Sequence, residues 1–320
     1  LCAGGFYGIG DVWLDGRRLQ RIDGQYLGFE IPLPPSMARG SHTVAIRLDN
    51  SFHRNVLPGK KNPDFLLYGG LVGGVWIEQR PWPRIDPCST EIVCRPDPAG
   101  PQLVEFRSST VNPHGATDKA SIHWTITTIE GDLVARCASA PSTSGFEAQA
   151  TLSEPRSWSP DHPHLYWAEG RLENDSGLID TMRIRFGITR GEFRRGDGFH
   201  IGEDRVDLHG ANRHESMPGI GSALTPEINR ADARLLKNYG CNYVRLSHYP
   251  QSPTFLDACD EFGLMVYAEL ATWKSVCSRR GWRRAAKRQF RDLITRDRHH
   301  PSVILWGMGN ESRSRRAYFE

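Results

Sequence analysis

The chain has 320 residues, 38% hydrophobic and 24% charged, with a net charge of +3. That length is more than one ordinary domain holds, so two or three are expected. A small charge scattered along the sequence leaves no nucleic-acid footprint, and no apolar run nears the roughly 18 residues a membrane helix needs. The basic stretch from Arg279 to Arg298 follows a helical pattern and reads as a solvated helix face.

Seven cysteines, odd in number and without a Cys-x-x-Cys pair, argue against a zinc site and against a full disulfide framework. Cys88 and Cys94 could bridge, but free thiols are the better expectation. The chain opens Leu-Cys-Ala-Gly-Gly, not Met, which suggests a segment of a longer protein and leaves the compartment unreadable.

Residues 1–85 read as short strands between turns. Asp11-Val-Trp-Leu runs into Asp15-Gly16, a strong hairpin pair, and Thr43-Val-Ala-Ile-Arg-Leu alternates as a half-buried strand should. Val75-Trp-Ile closes this β-sandwich, and Pro81-Trp-Pro-Arg reads as a linker. Over 86–189 the period-two rhythm returns in Glu91-Ile-Val-Cys, Leu103-Val-Glu-Phe, Ile122-His-Trp-Thr-Ile, Leu165-Tyr-Trp-Ala and Met182-Arg-Ile-Arg-Phe. Several such strands in about 100 residues suggest an immunoglobulin-like β-sandwich.

From 190 to 320 short apolar strands alternate with helices, the signature of βα repeats on a parallel sheet. Val206-Asp-Leu-His-Gly is the first expected strand. Thr225-Pro-Glu227 opens a helix with an N-cap, a proline in the first turn and an acid. Its expected apolar stripe is Ile228, Ala231, Leu235 and Tyr239, with Gly240 ending it. Tyr243-Val-Arg-Leu-Ser is the second strand, followed by a helix from Ser252-Pro253 to Gly263. Leu264-Met-Val-Tyr-Ala, a helix through Trp282, Ala286, Phe290 and Ile294, and Val303-Ile-Leu-Trp complete four units, half of an eight-fold barrel. A doubly wound nucleotide fold is disfavoured because Leu208-His-Gly-Ala-Asn-Arg-His carries no glycine fingerprint.

In βα barrels the loops at the C-terminal ends of the strands form the working face. That rule selects Asn212, Arg213, His214 and Glu215, then Arg245, Ser247, His248 and Tyr249, then Glu269, and lastly Asn310 and Glu311. Each has a plain alternative. His214 and His248 could be hydrogen-bonded structural histidines, Arg245 could simply pair with Glu269, and Glu311 could cap a following helix. His162-Pro-His164 and His299-His300 lack companion carboxylates at useful spacing, so no metal site is expected.

At these residues the chain resembles glycoside hydrolase family 2, the β-galactosidase, β-glucuronidase and β-mannosidase group. Asn242-Tyr-Val-Arg-Leu-Ser-His-Tyr-Pro250 and Arg298-His-His-Pro-Ser-Val-Ile-Leu-Trp-Gly-Met-Gly-Asn-Glu311 look like its two signatures, and Leu208-His-Gly-Ala-Asn-Arg-His-Glu215 like its opening barrel strand. Val12-Trp-Leu-Asp-Gly and Asp64-Phe-Leu-Leu-Tyr-Gly-Gly-Leu resemble its sugar-binding jelly roll, and Trp158-Ser-Pro-Asp-His-Pro-His-Leu-Tyr its central sandwich. The resemblance implies a multidomain chain with a jelly-roll sandwich (1–85), an immunoglobulin-like sandwich (86–189) and the first half of a TIM (β/α)8 barrel (190–320).

It also implies a retaining exo-β-glycosidase acting on carbohydrate, β-galactosidase-like, with Glu311 as acid/base and no cofactor. Trp306 and Met308 are expected to shield Glu311 and favour its protonated form. Asn310 would donate to the sugar 2-hydroxyl, His214, Arg245 and His248 would bind other hydroxyls, and Asp64 and Asp15 would reach in from the jelly roll. The nucleophile is expected from a later strand, beyond Glu320, so the 320-residue segment is expected to be inactive and poorly soluble alone. Trp273 and Ser275 stand where metal-dependent members carry Glu and His, so no magnesium site is implied. Arg313, Arg315 and Arg316 are atypical; they could bind an acidic sugar or cap a solvated helix, the second being the favoured reading. Two alternatives stay open: a non-catalytic carbohydrate-binding protein with a degenerate barrel, and a β-glucuronidase or β-galacturonidase specificity. A homo-oligomer of the full-length protein is also left open.

Overall fold

A computed structural model describes the chain except for residues 39, 60–61, 97–100, 114–119, 140, 143–144, 275–278 and 313–320. The expectations on Ser275, Arg313, Arg315, Arg316 and Glu320 therefore lie outside the described residues. No described helix is long and apolar enough to cross a membrane.

The N-terminal part is organised by one long strand, Cys2–Leu14. Its first residues pair with Phe29–Glu30 and Leu71–Trp76, and its second half pairs with Arg17–Gln25 and Val44–Asp49. The strand turns back at Asp15 and Gly16, whose φ angles of 49° and 79° suit the primed turns that match strand twist. Phe6, Val12, Ile22 and Ile31 are buried beneath this sheet.

Two four-stranded antiparallel sheets follow. Ser121–Thr128 lies between Leu133–Ser139 and Tyr166–Asn174, with Gly177–Phe186 outside, while Gln102–Ser108 lies between Glu91–Pro96 and Gly145–Leu152. Alternate residues of both sheets meet in one core, where Trp124 stacks on Phe106 at 4.5 Å. The sequence reading found five of these strands but not Leu133–Ser139, whose residues are largely half-buried or exposed, nor Gly145–Leu152, whose buried positions alternate cleanly but carry two small alanines among them. Cys88 and Cys94 are both free thiols.

The C-terminal part is a parallel sheet of Gly210–Arg213, Tyr243–Leu246, Met265–Glu269 and Val303–Gly307, neighbours in chain order. Helices α1 (Pro226–Asn238), α2 (Pro253–Phe262) and α3 (Arg280–Asp297) connect them. The capping signals act as expected: Thr225 and Ser252 accept from Ile228 N and Thr254 N, and Gly263 ends α2 at φ 71°.

Two expectations are corrected. The first parallel strand begins at Gly210, not Val206; Asp204–Val206 instead pairs antiparallel with Gly198–Ile201. Asn242 and Tyr243 donate to the His209 carbonyl at 2.8 and 3.1 Å, which fixes where the parallel register starts. The buried face of α1 is also not the apolar stripe. Leu235 and Tyr239 are 55% and 81% exposed, whereas Asn229 and Ala233 are buried. Asn229 turns inward because it accepts from Arg213 at 2.8 Å and donates to Thr254 at 2.9 Å.

Side-chain ties fasten these parts together. Arg185, from the central sheets, bonds Asp257 and Glu261 of α2 at 2.6 Å each. The Trp158 indole donates to the Asp260 carbonyl at 2.8 Å, and Arg298 bonds Glu91 and two carbonyls. Leu57, Leu270, Trp282 and Ala286 share a core, and Tyr26 stacks on Tyr249 at 4.5 Å. These ties set the long N-terminal strand and the loop after residue 50 against the end of the parallel sheet where its polar groups gather.

Candidate active site

Glu269, the last residue of the third parallel strand, is fully buried. Its Oε2 accepts from Arg245 Nε at 2.7 Å, and Nδ1 of His248 lies 3.2 Å from its Oε1. Arg245 sits on the neighbouring strand opposite Tyr267, two residues before Glu269, and its guanidinium reaches up to the strand end. There its other arm donates to Asn310 Oδ1 at 3.0 Å. Pairing with Glu269 and reaching toward the fourth strand are therefore not alternatives for Arg245; its planar fork does both.

Asn310 is buried at 7% exposure. Its backbone N–H donates to Thr272 O at 3.0 Å and its carbonyl accepts from Lys274 N at 2.9 Å. This bridge extends the parallel pairing beyond the strands themselves, with Trp273 opposite Asn310. With its amide oxygen taken by Arg245, Asn310 has its NH2 group left to give.

His214 and His248 meet edge to face at 5.3 Å, and Phe65 lies 5.4 Å from His214, 6.1 Å from His248 and 5.3 Å from Tyr249. Burial lowers the pKa of His214, and His248 and Arg245 add to the effect; Asp64 and Glu269 oppose it. The His214 ring is thus held toward its neutral form, able to donate from one nitrogen and accept at the other. Asp64, exposed and next in sequence to Phe65, is near enough for its charge to act on His214. The Ser247–His248 peptide is cis.

Glu311 follows Asn310 and carries a φ of 49°. Its side chain is 56% exposed, and its Oε2 lies 3.5 Å from Lys274 Nζ. Among the described residues the expected apolar shield is not seen: Trp306 packs against the sheet–helix core and Met308 is itself 41% exposed. Any dry environment for this acid has to come from a bound ligand or from residues outside those described.

Asp15 stays outside the cluster. It occupies the hairpin turn after Leu14, where it accepts from Thr43 N at 2.9 Å and pairs with His42 at 2.7 Å. Seven residues of extended chain separate it from Tyr7, at about 3.3 Å each, and Tyr7 neighbours the Tyr26 that stacks on Tyr249. Arg213 and Glu215 also turn away. Arg213 bonds Asn229, Asp232 and Gln251 over the Phe255 ring, and Glu215 accepts from Ser252 N at the start of α2.

Sequence reasoning passed over Lys274 and Phe65, which have no local signature, and missed carboxylates near His300. Asp257, Asp260 and His300 converge closely enough to hold a cation, but Arg185 already lies within 3.6 Å of both aspartates. Burial lowers the His300 pKa, and Asp260 at 2.6 Å overcomes this and raises it. The cluster is an ion-pair staple with its cation built in.

A parallel βα sheet with a carboxylate and an amide set side by side past its fourth strand, and with Tyr26 and Phe65 of the N-terminal part beside the same strand ends, has the strand-end arrangement of βα barrels. Residues 194–320 match the TIM barrel domain of glycosyl hydrolases family 2, and residues 94–188 match a second domain of glycosyl hydrolases family 2. The chain belongs to glycoside hydrolase family 2.

It is 29% identical over 310 residues to a β-galactosidase of Thermoanaerobacter pseudethanolicus, covering 95% of this chain and 41% of that protein. It is equally identical over 304 residues to a putative β-glucuronidase of Formosa agariphila, covering 94% of this chain and 36% of the relative. Among solved structures, an FMN-binding β-glucuronidase from Facaelibacterium prausnitzii superposes with a TM-score of 0.87 at 25% identity, over 98% of this chain and 49% of that one. The chain thus spans about two-fifths of the length of the curated relatives it matches.

Proposed function

We propose that the full-length protein is a retaining exo-β-glycosidase, β-galactosidase-like, with Glu311 as its general acid/base. The observation that carries this reading is the pairing of Glu311 with an oriented Asn310 past the fourth parallel strand, in a member of this family. Retaining cleavage needs one carboxylic acid to protonate the leaving oxygen and a second carboxylate, roughly 5 to 5.5 Å away, to attack the anomeric carbon. Glu311 protonates the departing oxygen, then takes a proton from the water that releases the sugar. Asn310, its oxygen held by Arg245, donates from its NH2 group to the 2-hydroxyl, a bond that strengthens in the transition state.

His214, Arg245, His248 and Asp64 bind the remaining hydroxyls. Asp15, engaged in its own hairpin, is omitted from this set. Among the described residues Glu269 is the other carboxylate at the centre, and it is committed to Arg245 and His248. The nucleophile is therefore assigned to a glutamate beyond Glu320, in keeping with the greater length of the relatives.

In this reading residues 1–85 are a sugar-binding jelly roll, 86–189 an immunoglobulin-like sandwich and 190–320 the catalytic barrel portion. Separate cores beneath the respective sheets support that division.

Glu311→Gln in the full-length enzyme should slow poor leaving groups most. Equal slowing of activated and unactivated substrates removes the acid role. Because the relatives divide between β-galactosidase and β-glucuronidase names, a panel of aryl β-galactosides and β-glucuronides identifies the sugar.

A further inference from the structure

An exposed carboxylate is a poor proton donor unless something aims it. Glu311 lies past the end of its strand, its side chain 56% in contact with solvent. Its φ of 49° is a backbone region that side chains disfavour and that persists only where surroundings impose it. Free to rotate, such a side chain spreads over several staggered rotamers, whereas proton delivery needs a heavy-atom approach of about 2.6 to 3.2 Å.

Lys274 meets this carboxylate, and the backbone brings it there. Asn310 N–H donates to Thr272 O and Lys274 N–H donates to Asn310 O, with Trp273 bridged to Asn310. The residues next after that bridge on the two segments are Lys274 and Glu311, so they are set side by side. Lys274 shares the left-handed backbone, with φ 54°. Its ammonium stands 4.2 Å from the centroid of the Trp273 ring, and Trp273 is buried at 7% exposure. A cation attracted to a buried indole face loses much of the freedom of a lysine side chain.

Among the described residues, Arg245 and His248 hold Glu269, and Arg245 also holds Asn310.

We infer that Lys274 is a positioning residue: seated on Trp273, its ammonium holds the Glu311 carboxyl group in the orientation from which it delivers a proton. The inference rests on the acid/base reading of Glu311 and deepens it by naming what aims the acid. A half-exposed pair of this kind contributes little to stability, so its effect belongs in catalysis.

The test uses the full-length enzyme with Lys274→Met, Lys274→Arg and Glu311→Ala, on glycosides running from dinitrophenyl to alkyl leaving groups. Lys274→Met is expected to lower kcat for alkyl glycosides about 10-fold or more, a fraction of what an acid/base group contributes. It should leave KM, and turnover of the dinitrophenyl glycoside, within about 2-fold. Lys274→Arg, which keeps the charge, should restore most of the loss.

Equal slowing across the series, no slowing, or failure of arginine to rescue overturns the role of Lys274. Glu311→Ala separates the two ideas. If it spares the alkyl glycosides, the acid/base reading fails. If it silences them and Lys274→Met does not, only the positioning role fails.

Discussion

Replacing Glu269 with glutamine keeps its shape and removes its charge. The wild-type carboxylate has no exposed surface, and Arg245 and His248 are 23% and 13% exposed. Glutamine still accepts one hydrogen bond from Arg245, but it turns an NH2 donor toward the other donor and leaves a shielded guanidinium without a counter-ion. Breaking a buried pair on one side costs about 3–5 kcal/mol. With Arg245 partly in water and one bond retained, the lower side applies, about 2–3 kcal/mol. At about 2–4 °C per kcal/mol for a unit of 150–250 residues, the transition that melts the parallel sheet should fall by about 4–12 °C. Calorimetry of the full-length protein measures it. Arg245→Met alone should also destabilise, because it strands Glu269. The double variant Glu269→Gln/Arg245→Met, with neither charge orphaned, should melt above Glu269→Gln alone. Strictly additive shifts would refute the pairing as what holds the strand ends together.

Arg185→Ala should loosen the seam between the central sheets and α2 by about 2–3 kcal/mol, since it strips the cation from Asp257 and Glu261 and from nearby Asp260. Faster amide exchange in α2 would report it. Gly263→Ala should destabilise by more than about 1 kcal/mol, since a side chain there is strained at φ 71° and its Cβ would stand 2.1 Å from the Pro160 carbonyl; a chemical unfolding midpoint shows the shift. Burial pulls His299 down to about 4. The stability it secures by staying neutral is complete above its unfolded value of about 6.5 and is lost as pH falls through about 4, about 3 kcal/mol in all. His299→Gln should flatten the wild-type loss over that acid range, measured as melting temperature against pH.

Local chemistry made much of the barrel portion legible. Thr225-Pro226, Ser252-Pro253 and Gly263 are cap signals whose partners lie within a turn, and the rule of strand ends selected Arg245, Glu269 and Asn310 before any contact was known. The errors share one cause: their physics is non-local. Asn229 is polar and lies off the expected apolar stripe, yet it faces inward because Arg213 and Thr254 satisfy it. Val206 reads as a parallel strand until the His209 carbonyl fixes the register. Glu311 has apolar neighbours in sequence, but Trp306 points into the sheet–helix core and shields nothing at the mouth. Asp15 sits in a segment that only resembles the family's jelly roll, and the position of Thr43 and His42 across the hairpin shows where its carboxylate is used. Lys274 carries no signal of its own in the sequence and gains meaning only from the bridge between Trp273 and Asn310.

Phe65 and Tyr26 belong to the N-terminal segment in sequence and to the barrel mouth in space. Under the proposed function, part of the wall around the sugar is thus inherited with a different stretch of gene from the strands that carry the acid. A recombination event that traded the first sandwich for that of a distant relative would leave Glu311 and Asn310 on their strand and replace the surface facing them. Selectivity could then drift by exchange of modules while the chemistry stayed fixed, provided each incoming loop brought a ring to lie on Tyr249.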